Sequence, residues 1–213
     1  LKHSDVPAFS AGSVSIDTRT LAPGAIFVAL KGDSADGHAY IDAAFARGAV
    51  AAIVEQDIQN PAHRLLIKVK DSLAALNLLG HAGRARSSAK VIAVCGSVGK
   101  TGTKDMLARL FAVLGHTHAS EKSFNNHLGV PLTMANLLPD AQFCVAEVGM
   151  NHPGEILPLA AIVRPHAAII TTIDKEHVDF FDNGLDGICD ANAEIFSGMD
   201  ADGVAVLNQD NAY

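Results

Sequence analysis

The amino-acid sequence predicts an α/β protein with a small α/β N-terminal domain, followed by a P-loop-type central domain with a mostly parallel sheet. Short apolar runs of strand length alternate with helix-length segments along the chain. One of these runs leads into a glycine-rich turn and then a helix, at residues 91–115. The chain has 213 residues, 49% of them hydrophobic, which is enough for a substantial buried core.

Residues 1–86 form the first predicted domain. Its strands are predicted from apolar runs at residues 25–30, 49–54 and 65–69. A short helix at residues 39–47 should end at Gly48, because glycine commonly follows a helix end. Asp71 is expected to cap a second helix, whose leucines recur at helical spacing. The polar and basic residues 83–90 are interpreted as a linker between the domains.

Residues 87–213 form the second predicted domain, which the sequence covers incompletely. Its strands are predicted from apolar runs at residues 91–94, 143–147, 167–171 and 203–207. The helix that ends at Gly115 has an apolar face formed by Met106, Leu107, Leu110, Phe111 and Leu114. Continuous apolar strands separated by helix-length segments predict a parallel sheet that is covered on both faces.

Composition and charge exclude several classes of function. The formal net charge of -7 offers no basic surface for nucleic acid. The longest apolar runs have the length of strands, so no membrane insertion is expected. Lys2 and its neighbours lead into no apolar signal segment. The three cysteines, Cys95, Cys144 and Cys189, form no C-x-x-C pair, and we interpret them as reduced thiols of a cytoplasmic protein.

The turn after the strand at residues 91–94 predicts a nucleotide phosphate site. Glycines let backbone N–H groups approach phosphate oxygens, and the start of a helix adds partial positive charge. Lys100 would supply a point charge and the Thr101 hydroxyl could bind Mg²⁺. Val94 stands where the general P-loop pattern has its first glycine. The predicted ATP-binding residues are Gly96, Ser97, Val98, Gly99, Lys100, Thr101 and Gly102.

Polar residues follow other strands of the predicted sheet. Ligands bind at the carboxyl ends of parallel strands, so these residues are candidates for the same site. Glu147 ends an apolar run in the place where P-loop proteins hold an acidic Mg²⁺ ligand. His177 is a candidate second metal ligand, although a surface histidine is equally compatible with the pattern. Asn125, Asn126 and Asn151 could face the same crevice or simply form turns.

Two polar stretches of the N-terminal domain could hold a phosphorylated ligand. Loops rich in Asp, Gly and Ser are also ordinary turns, so the composition alone leaves both interpretations open. The candidate substrate-binding residues in these stretches are Ser15, Thr18, Arg19, Lys31, Gly32, Asp36 and His38.

Together these residues resemble the Mur ligase family, the ATP-dependent amide ligases that build the peptidoglycan peptide. The short loop at residues 96–101, without the first P-loop glycine, looks like the phosphate loop of that family. Residues 123–133, 147–156 and 193–198 resemble the member that adds D-alanyl-D-alanine to UDP-N-acetylmuramoyl-tripeptide. Residues 17–32, together with residues 36–38, are similar to the UDP-sugar-binding N-terminal domain of the same group.

The resemblance implies a mechanism and roles for the candidate residues. ATP would phosphorylate the terminal carboxylate of the UDP-linked tripeptide, and the amine of D-alanyl-D-alanine would attack the acyl phosphate. Lys100 would be catalytic and hold the β and γ phosphates, while Thr101 and Glu147 would hold one Mg²⁺ ion. His177, also catalytic, would help to hold a second Mg²⁺. Asn125, Asn126 and Asn151 would lie near the substrate or the metals, and a monomer is expected.

The sequence departs from the family pattern in two places. Many relatives carry a carbamylated lysine two residues before the Glu-Ile-Phe triplet, where this sequence has Asn192, so a second metal site would be built differently. The family also has a third, C-terminal domain and a longer central domain. We therefore expect residues 1–213 to be an N-terminal fragment with little or no activity by itself.

Other functions remain open at the level of the sequence. Another Mur-type ligase or a folylpolyglutamate-type ligase is the nearest alternative. A P-loop nucleotide-binding protein without ligase activity, such as a nucleotide-sugar-binding protein, is a second. A P-loop GTPase or kinase is a third alternative, which the absence of the guanine-specificity motif Asn-Lys-x-Asp from the sequence disfavours.

Overall fold

The computed structural model describes residues 8–32, 35–59 and 62–213. The chain divides into two compact units, Leu1–Leu78 and Leu79–Tyr213. The division falls inside a helix, before the predicted boundary at residue 86, and the domain assignment stays a prediction. No helix among the described residues is both long enough and apolar enough to cross a membrane.

The first unit contains a four-stranded parallel sheet. Its strands are β1 (Ser13–Ser15), β2 (Ala25–Val28), β3 (Ala51–Val54) and β4 (Leu66–Lys68), which lie side by side in this order. A 3-10 helix (Gly37–Tyr40) leads into α1 (Ile41–Ala46), and α2 (Ser72–Arg86) follows β4. Phe27, Ile41 and Ala44 are buried between the sheet and α1. The Asp71 carboxylate accepts a hydrogen bond from the Ala74 N–H, so the predicted cap of α2 is confirmed.

The second unit is built around a five-stranded parallel sheet. Its elements in chain order are β5 (Lys90–Cys95), α3 (Lys100–Leu114), β6 (Thr117–Ala119), α4 (Gly129–Ala135), β7 (Phe143–Glu147), α5 (Ile156–Val163), β8 (Ala167–Ile170), α6 (Leu185–Ala193) and β9 (Val204–Leu207). Two further 3-10 helices cover Val178–Phe180 and Glu194–Gly198. The predicted α/β class with mostly parallel sheets is confirmed.

The strand order of this sheet is β6-β7-β5-β8-β9. The chain runs from β5 to one side of the sheet, through β6 and β7, and then crosses to the other side to form β8. Strand order therefore reverses at β5. In open α/β sheets, ligands bind in the crevice outside the carboxyl ends of the strands at such a point, here beside the ends of β7 and β8. The register places Val94 beside Glu147 and Cys95 beside Ile170. The glycine turn thus begins next to the end of β7.

Two sequence interpretations of this unit are wrong. Residues 83–86 are the last turn of α2 and not a linker. Gly83 is needed there because a Cβ atom would lie 2.0 Å from the Met134 carbonyl oxygen. The predicted apolar face of α3 is largely exposed, with Met106 at 65% and Leu114 at 70%. Of the predicted face, Phe111 is half-buried and stacks on Phe143 with ring centroids 4.7 Å apart, while the side chain that the helix buries is that of Lys104.

The cysteines belong to the second unit. Cys95 and Cys144 are buried in the sheet, Cys189 is half-buried, and all three are free thiols. Burial raises the pKa of the Cys95 and Cys144 thiols to about 12. At neutral pH these two thiols are therefore protonated and pack as small apolar side chains.

Candidate functional site

The glycine turn links the carboxyl end of β5 to the first residue of α3. Gly96 and Gly99 have positive φ angles of 121° and 89°, which glycine adopts more readily than other residues. A Cβ atom on Gly96 would lie 2.3 Å from the Thr171 hydroxyl oxygen. The residue type at position 96 is therefore fixed both by the backbone conformation and by the close approach of the segment after β8.

The segment after β8 holds the turn in place through several hydrogen bonds. The Ser97 N–H donates to the Thr172 carbonyl at 2.8 Å, so this amide is already used inside the protein. The Ser97 side chain is buried and bonds both the carbonyl and the N–H of Asp174 at 3.0 Å. The Thr171 hydroxyl lies 2.6 Å from the Val98 carbonyl and 3.1 Å from that of Cys95. The conformation of the turn is thus fixed by hydrogen bonds to residues 171–174.

The start of α3 presents its backbone N–H groups at the crevice. The Thr103 N–H makes the first helical bond, to the Gly99 carbonyl at 3.0 Å. The N–H groups of residues 99–102 precede this bond and have no acceptor within the helix. Together with the helix dipole, they form an arrangement that favours an anion such as phosphate.

Lys100 lies against the turn that it follows. Its ammonium donates to the carbonyl oxygens of Gly96 at 2.7 Å and Ser97 at 2.8 Å. It also pairs with the Glu176 carboxylate at 3.2 Å, and the lysine side chain is 14% exposed. The positive charge predicted for the phosphate site is therefore present at the mouth of the turn.

Glu147, the last residue of β7, is hydrogen-bonded to α3, to the loop before α4 and to the residue after β6. One carboxylate oxygen, Oε1, accepts hydrogen bonds from the Thr101 hydroxyl at 3.1 Å and from the Asn125 amide at 2.9 Å. The Glu147 backbone N–H donates to the Ser120 hydroxyl at 3.1 Å. The side chain is 1% exposed. The structure therefore brings together three of the predicted residues, Thr101, Asn125 and Glu147.

The second carboxylate oxygen of Glu147 is buried and has no hydrogen-bond partner within the described part of the chain. A buried carboxylate oxygen without a partner is costly, and a bound ion or water is one explanation for such an atom. Mg²⁺ prefers oxygen ligands such as carboxylates and hydroxyls. The Thr101 hydroxyl and the unpaired Glu147 oxygen therefore suit this cation. Across the described residues, no group of three or more His, Cys, Asp or Glu side chains is arranged to hold a metal.

His177 lies near Lys100, because its chain neighbour Glu176 pairs with that lysine. The side chain is 38% exposed, and its Nε2 atom lies 3.9 Å from the Glu176 carboxylate whose other oxygen pairs with Lys100. The backbone of His177 has a positive φ of 60°. The Phe180 ring lies near two imidazoles, with its centroid 6.5 Å from that of His177 and 4.4 Å from that of His152. A role for His177 in metal binding stays a prediction.

The remaining asparagines have local contacts. The Asn126 side-chain oxygen accepts from the N–H groups of Leu128 and Gly129, so it stabilises the start of α4. The exposed Asn151 donates its backbone N–H to Glu155 at 2.7 Å. Asn192 is 1% exposed, and its amide donates to the Ile188 carbonyl one helical turn earlier. Substrate contacts by Asn126 and Asn151 stay predictions.

The predicted substrate residues near β1 form a tight turn. The Ser15 hydroxyl donates to the Asp17 carbonyl at 3.0 Å. The Asp17 carboxylate accepts from the Arg19 backbone N–H and from its guanidinium, which lies 2.7 Å away. Hydrogen bonds from Arg19 lower the pKa of Asp17 to about 2. Thr18 is half-buried in this turn, while the Arg19 side chain is 85% exposed.

The second polar stretch is organised by His38. The side chain is 4% exposed, its Nδ1 lies 2.6 Å from the Asp36 carboxylate, and its Nε2 accepts from the Glu55 N–H at 2.9 Å. Both ring nitrogens are thus used by protein groups. Hydrogen bonds from the His38 backbone and side chain lower the pKa of Asp36. Lys31 and Gly32 are exposed, and Lys31 forms a β-bridge with Asp36.

Sequence reasoning missed several residues of this site. Glu176 pairs with Lys100, Thr171 braces the turn, and Ser120 holds the backbone of Glu147. Glu176 and Thr171 lie in the polar stretch after β8, so their position next to His177 was an available signal. Ser120 follows β6, whose half-polar sequence Thr-His-Ala gave no strand signal.

Comparisons with known proteins agree on one family. Residues 94–213 match the Mur ligase middle domain, and residues 11–84 match the catalytic domain of the Mur ligase family. The UDP-N-acetylmuramoyl-tripeptide--D-alanyl-D-alanine ligase of Escherichia coli (strain K12) is 39% identical over 199 residues, covering 93% of this chain and 43% of the relative. The enzyme of the same name from Bacillus subtilis (strain 168) is 36% identical, with 94% and 45% covered.

Solved structures lead to the same group. A crystal structure of MurF from Acinetobacter baumannii has a TM-score of 0.83 and 38% identity, covering 94% of this chain and 44% of that one. MurF ligase from Thermotoga maritima in complex with ADP has a TM-score of 0.80 and 29% identity, covering 93% and 46%. The chain therefore spans less than half the length of the relatives that it matches.

Proposed function

The chain belongs to the Mur ligase family, and we propose that it is the nucleotide-binding part of a ligase that joins D-alanyl-D-alanine to UDP-N-acetylmuramoyl-tripeptide. The observation that carries the proposal is the arrangement at the crevice, where Lys100 and Thr101 open α3 beside the buried carboxylate of Glu147. Similarity to enzymes with this named activity extends over more than nine tenths of the chain.

The proposed reaction has two steps. The γ-phosphoryl group passes from ATP to the terminal carboxylate of the tripeptide, which gives an acyl phosphate and ADP. The amine of D-alanyl-D-alanine then attacks the acyl carbon, forms the amide bond, releases a proton and expels inorganic phosphate. Anionic groups must approach one another in the first step, so neutralisation of charge and correct positioning should supply most of the rate enhancement.

Each residue of the crevice has a place in this scheme. The free N–H groups at the start of α3 would bind phosphate oxygens, and the Lys100 ammonium would turn from the loop carbonyls toward the β and γ phosphates. Thr101 and Glu147 would hold Mg²⁺, which supplies a positive charge that offsets the phosphate oxygens when bound. Asn125 would keep the Glu147 carboxylate in place through its hydrogen bond to Oε1.

The proposal extends to a second metal ion, the UDP-sugar and the state of the protein in the cell. His177, Asn126 and Asn151 would contact substrate or a second metal ion, and the loops around Arg19 and His38 would bind the UDP-sugar. Because residue 192 is asparagine, the second site would lack the carbamylated lysine of many relatives, and the buried Asn192 amide donates to the Ile188 carbonyl. A monomeric protein in the cytoplasm is proposed, in keeping with three free thiols.

The experiment that tests the function is a substrate-dependence assay on the full-length protein. Phosphate release should require ATP, UDP-N-acetylmuramoyl-tripeptide and D-alanyl-D-alanine together. Lys100→Ala should abolish turnover, while Lys90→Ala, at the opposite end of β5, should leave it unchanged. Calorimetry should show binding of the UDP-linked tripeptide and no binding of a folate. Turnover with folate and glutamate, or UDP-sugar binding without any ATP hydrolysis, would favour the alternative functions instead.

A further inference from the structure

Lys104 is a buried lysine that the predicted site does not use. It lies on α3, one helical turn after Lys100, and is 2% exposed. Its ammonium donates to the Ser120 carbonyl at 3.1 Å and to the Asp105 carboxylate at 2.6 Å. Lysine is almost never fully buried without a partner, so the position of this side chain requires an explanation.

The contact with Asp105 does not explain the burial. Asp105 is the next residue of the helix, and its side chain is 56% exposed. A lysine that remained in solvent could form an ion pair of this kind, and such pairs contribute about 0–1 kcal/mol to stability. Moving an ammonium out of water is costly unless hydrogen bonds replace the lost water. The contact that requires Lys104 to point inward is therefore the one with the Ser120 carbonyl.

Ser120 connects the ends of two neighbouring strands. It follows β6, and its N–H donates to the Val145 carbonyl of β7 at 3.0 Å. Its hydroxyl oxygen accepts from the Glu147 N–H at 3.1 Å and lies 3.5 Å from the Thr133 hydroxyl. Because the backbone of Ser120 is bound to both β7 and Lys104, a shift of Ser120 would move the backbone of Glu147.

Helix α3 thus contacts Glu147 along two routes. Thr101 bonds the carboxylate directly, and Lys104 reaches the backbone through Ser120. We propose that Lys104 is a positioning residue that, by holding Ser120, fixes Glu147 where its unpaired oxygen can bind Mg²⁺. This inference rests on the proposed function, because it concerns the metal site of the same crevice.

The test measures ADP binding by calorimetry in the full-length protein, as a function of Mg²⁺ concentration. In Lys104→Met, the Mg²⁺ concentration that gives half of the enhancement of ADP binding should rise about 10- to 100-fold, the usual effect of losing a residue that orients a metal ligand. ADP affinity without Mg²⁺ should be unchanged. Lys90→Met is the control, since it removes an exposed lysine far from the crevice.

A second variant keeps Lys104 and tests the intermediate step, which also guards against misfolding of the first. Ser120→Ala removes the hydroxyl that accepts the Glu147 N–H but leaves the carbonyl for Lys104. It should shift the Mg²⁺ dependence in the same direction, and the double variant should be no worse than the more affected single variant. In protein without metal, the Glu147 amide should exchange its hydrogen faster in both single variants.

Two results would overturn the inference while the proposed function stands. One is an unchanged Mg²⁺ dependence in Lys104→Met. The other is an equal loss of ADP affinity with and without Mg²⁺, since that pattern indicates general damage to the nucleotide site. If the unmodified protein binds ADP with no response to Mg²⁺, both the metal site of the proposed function and the role of Lys104 are wrong.

Discussion

Gly96→Ala should destabilise the chain strongly, because the added methyl group meets the segment that braces the phosphate turn. Its Cβ would lie 2.3 Å from the Thr171 hydroxyl oxygen and 3.0 Å from the Thr171 nitrogen and the Thr172 carbonyl oxygen. The φ of 121° adds backbone strain of about 1–3 kcal/mol for any residue with a side chain. Rotating Thr171 away would also lose its hydrogen bond to the turn, worth about 1 kcal/mol. The free energy of unfolding should therefore fall by about 2–4 kcal/mol.

The matched control lies in the same motif. A Cβ on Gly102 meets nothing within 4 Å, and this residue is inside α3, where alanine is preferred over glycine by about 1 kcal/mol. Urea unfolding should show Gly102→Ala to be at least as stable as the parent chain. Gly96→Ala should lower the free energy of unfolding by a smaller amount when Thr171→Ala is also present, because that second substitution removes the hydroxyl oxygen with which the new Cβ clashes. Equal stability of the two glycine variants would refute the reasoning.

Two further predictions concern buried groups of the second unit. Arg84 donates to the carbonyls of Val163 at 2.8 Å and Arg164 at 3.0 Å, at the end of α5, so Arg84→Met should lower the free energy of unfolding by about 2–4 kcal/mol. Arg109→Met, which changes an exposed side chain, should alter the free energy of unfolding by less than about 0.5 kcal/mol. A similar loss in both variants would argue against a stabilising role for the bonds from Arg84 to the end of α5. Burial raises the pKa of the Cys95 and Cys144 thiols to about 12. Burial and the charges of Asp190 and Asp186 also raise the pKa of Cys189, but this thiol alone of the three is partly exposed, so a thiol reagent at pH 8 should modify Cys189 first. In denaturant, all three thiols should react. If the fast phase of modification persists in Cys189→Ser, the prediction is wrong.

The parts of the site that are formed by residues adjacent in the sequence could be predicted from the sequence. An apolar strand, two glycines and a Lys-Thr pair are adjacent in the sequence, so their order alone indicated a phosphate turn. Glu147 could be placed at a strand end because a continuous apolar run stops there. The parallel register then explains why it lies beside Val94, close to Thr101.

The parts that depend on packing could not be predicted in this way. Helix α3 carries more apolar residues than one face can hold, so periodicity identified a helix but not the side that packs on the sheet. The burial of Lys104 depends on Ser120, and nothing near Lys104 in the sequence indicates that partner. Gly83 was interpreted as part of a linker because glycine is common there, but α2 needs it for a close approach to Met134.

The bracing of the phosphate turn limits how this motif can be moved between proteins. Ser97 is bonded to Thr172 and Asp174, and Val98 to Thr171, so the turn depends on a segment more than seventy residues later in the chain. Grafting residues 96–101 alone into another scaffold would leave the polar groups of the turn without their partners. The unit of exchange in recombination or engineering is therefore the turn together with residues 171–174, a discontinuous pair of segments.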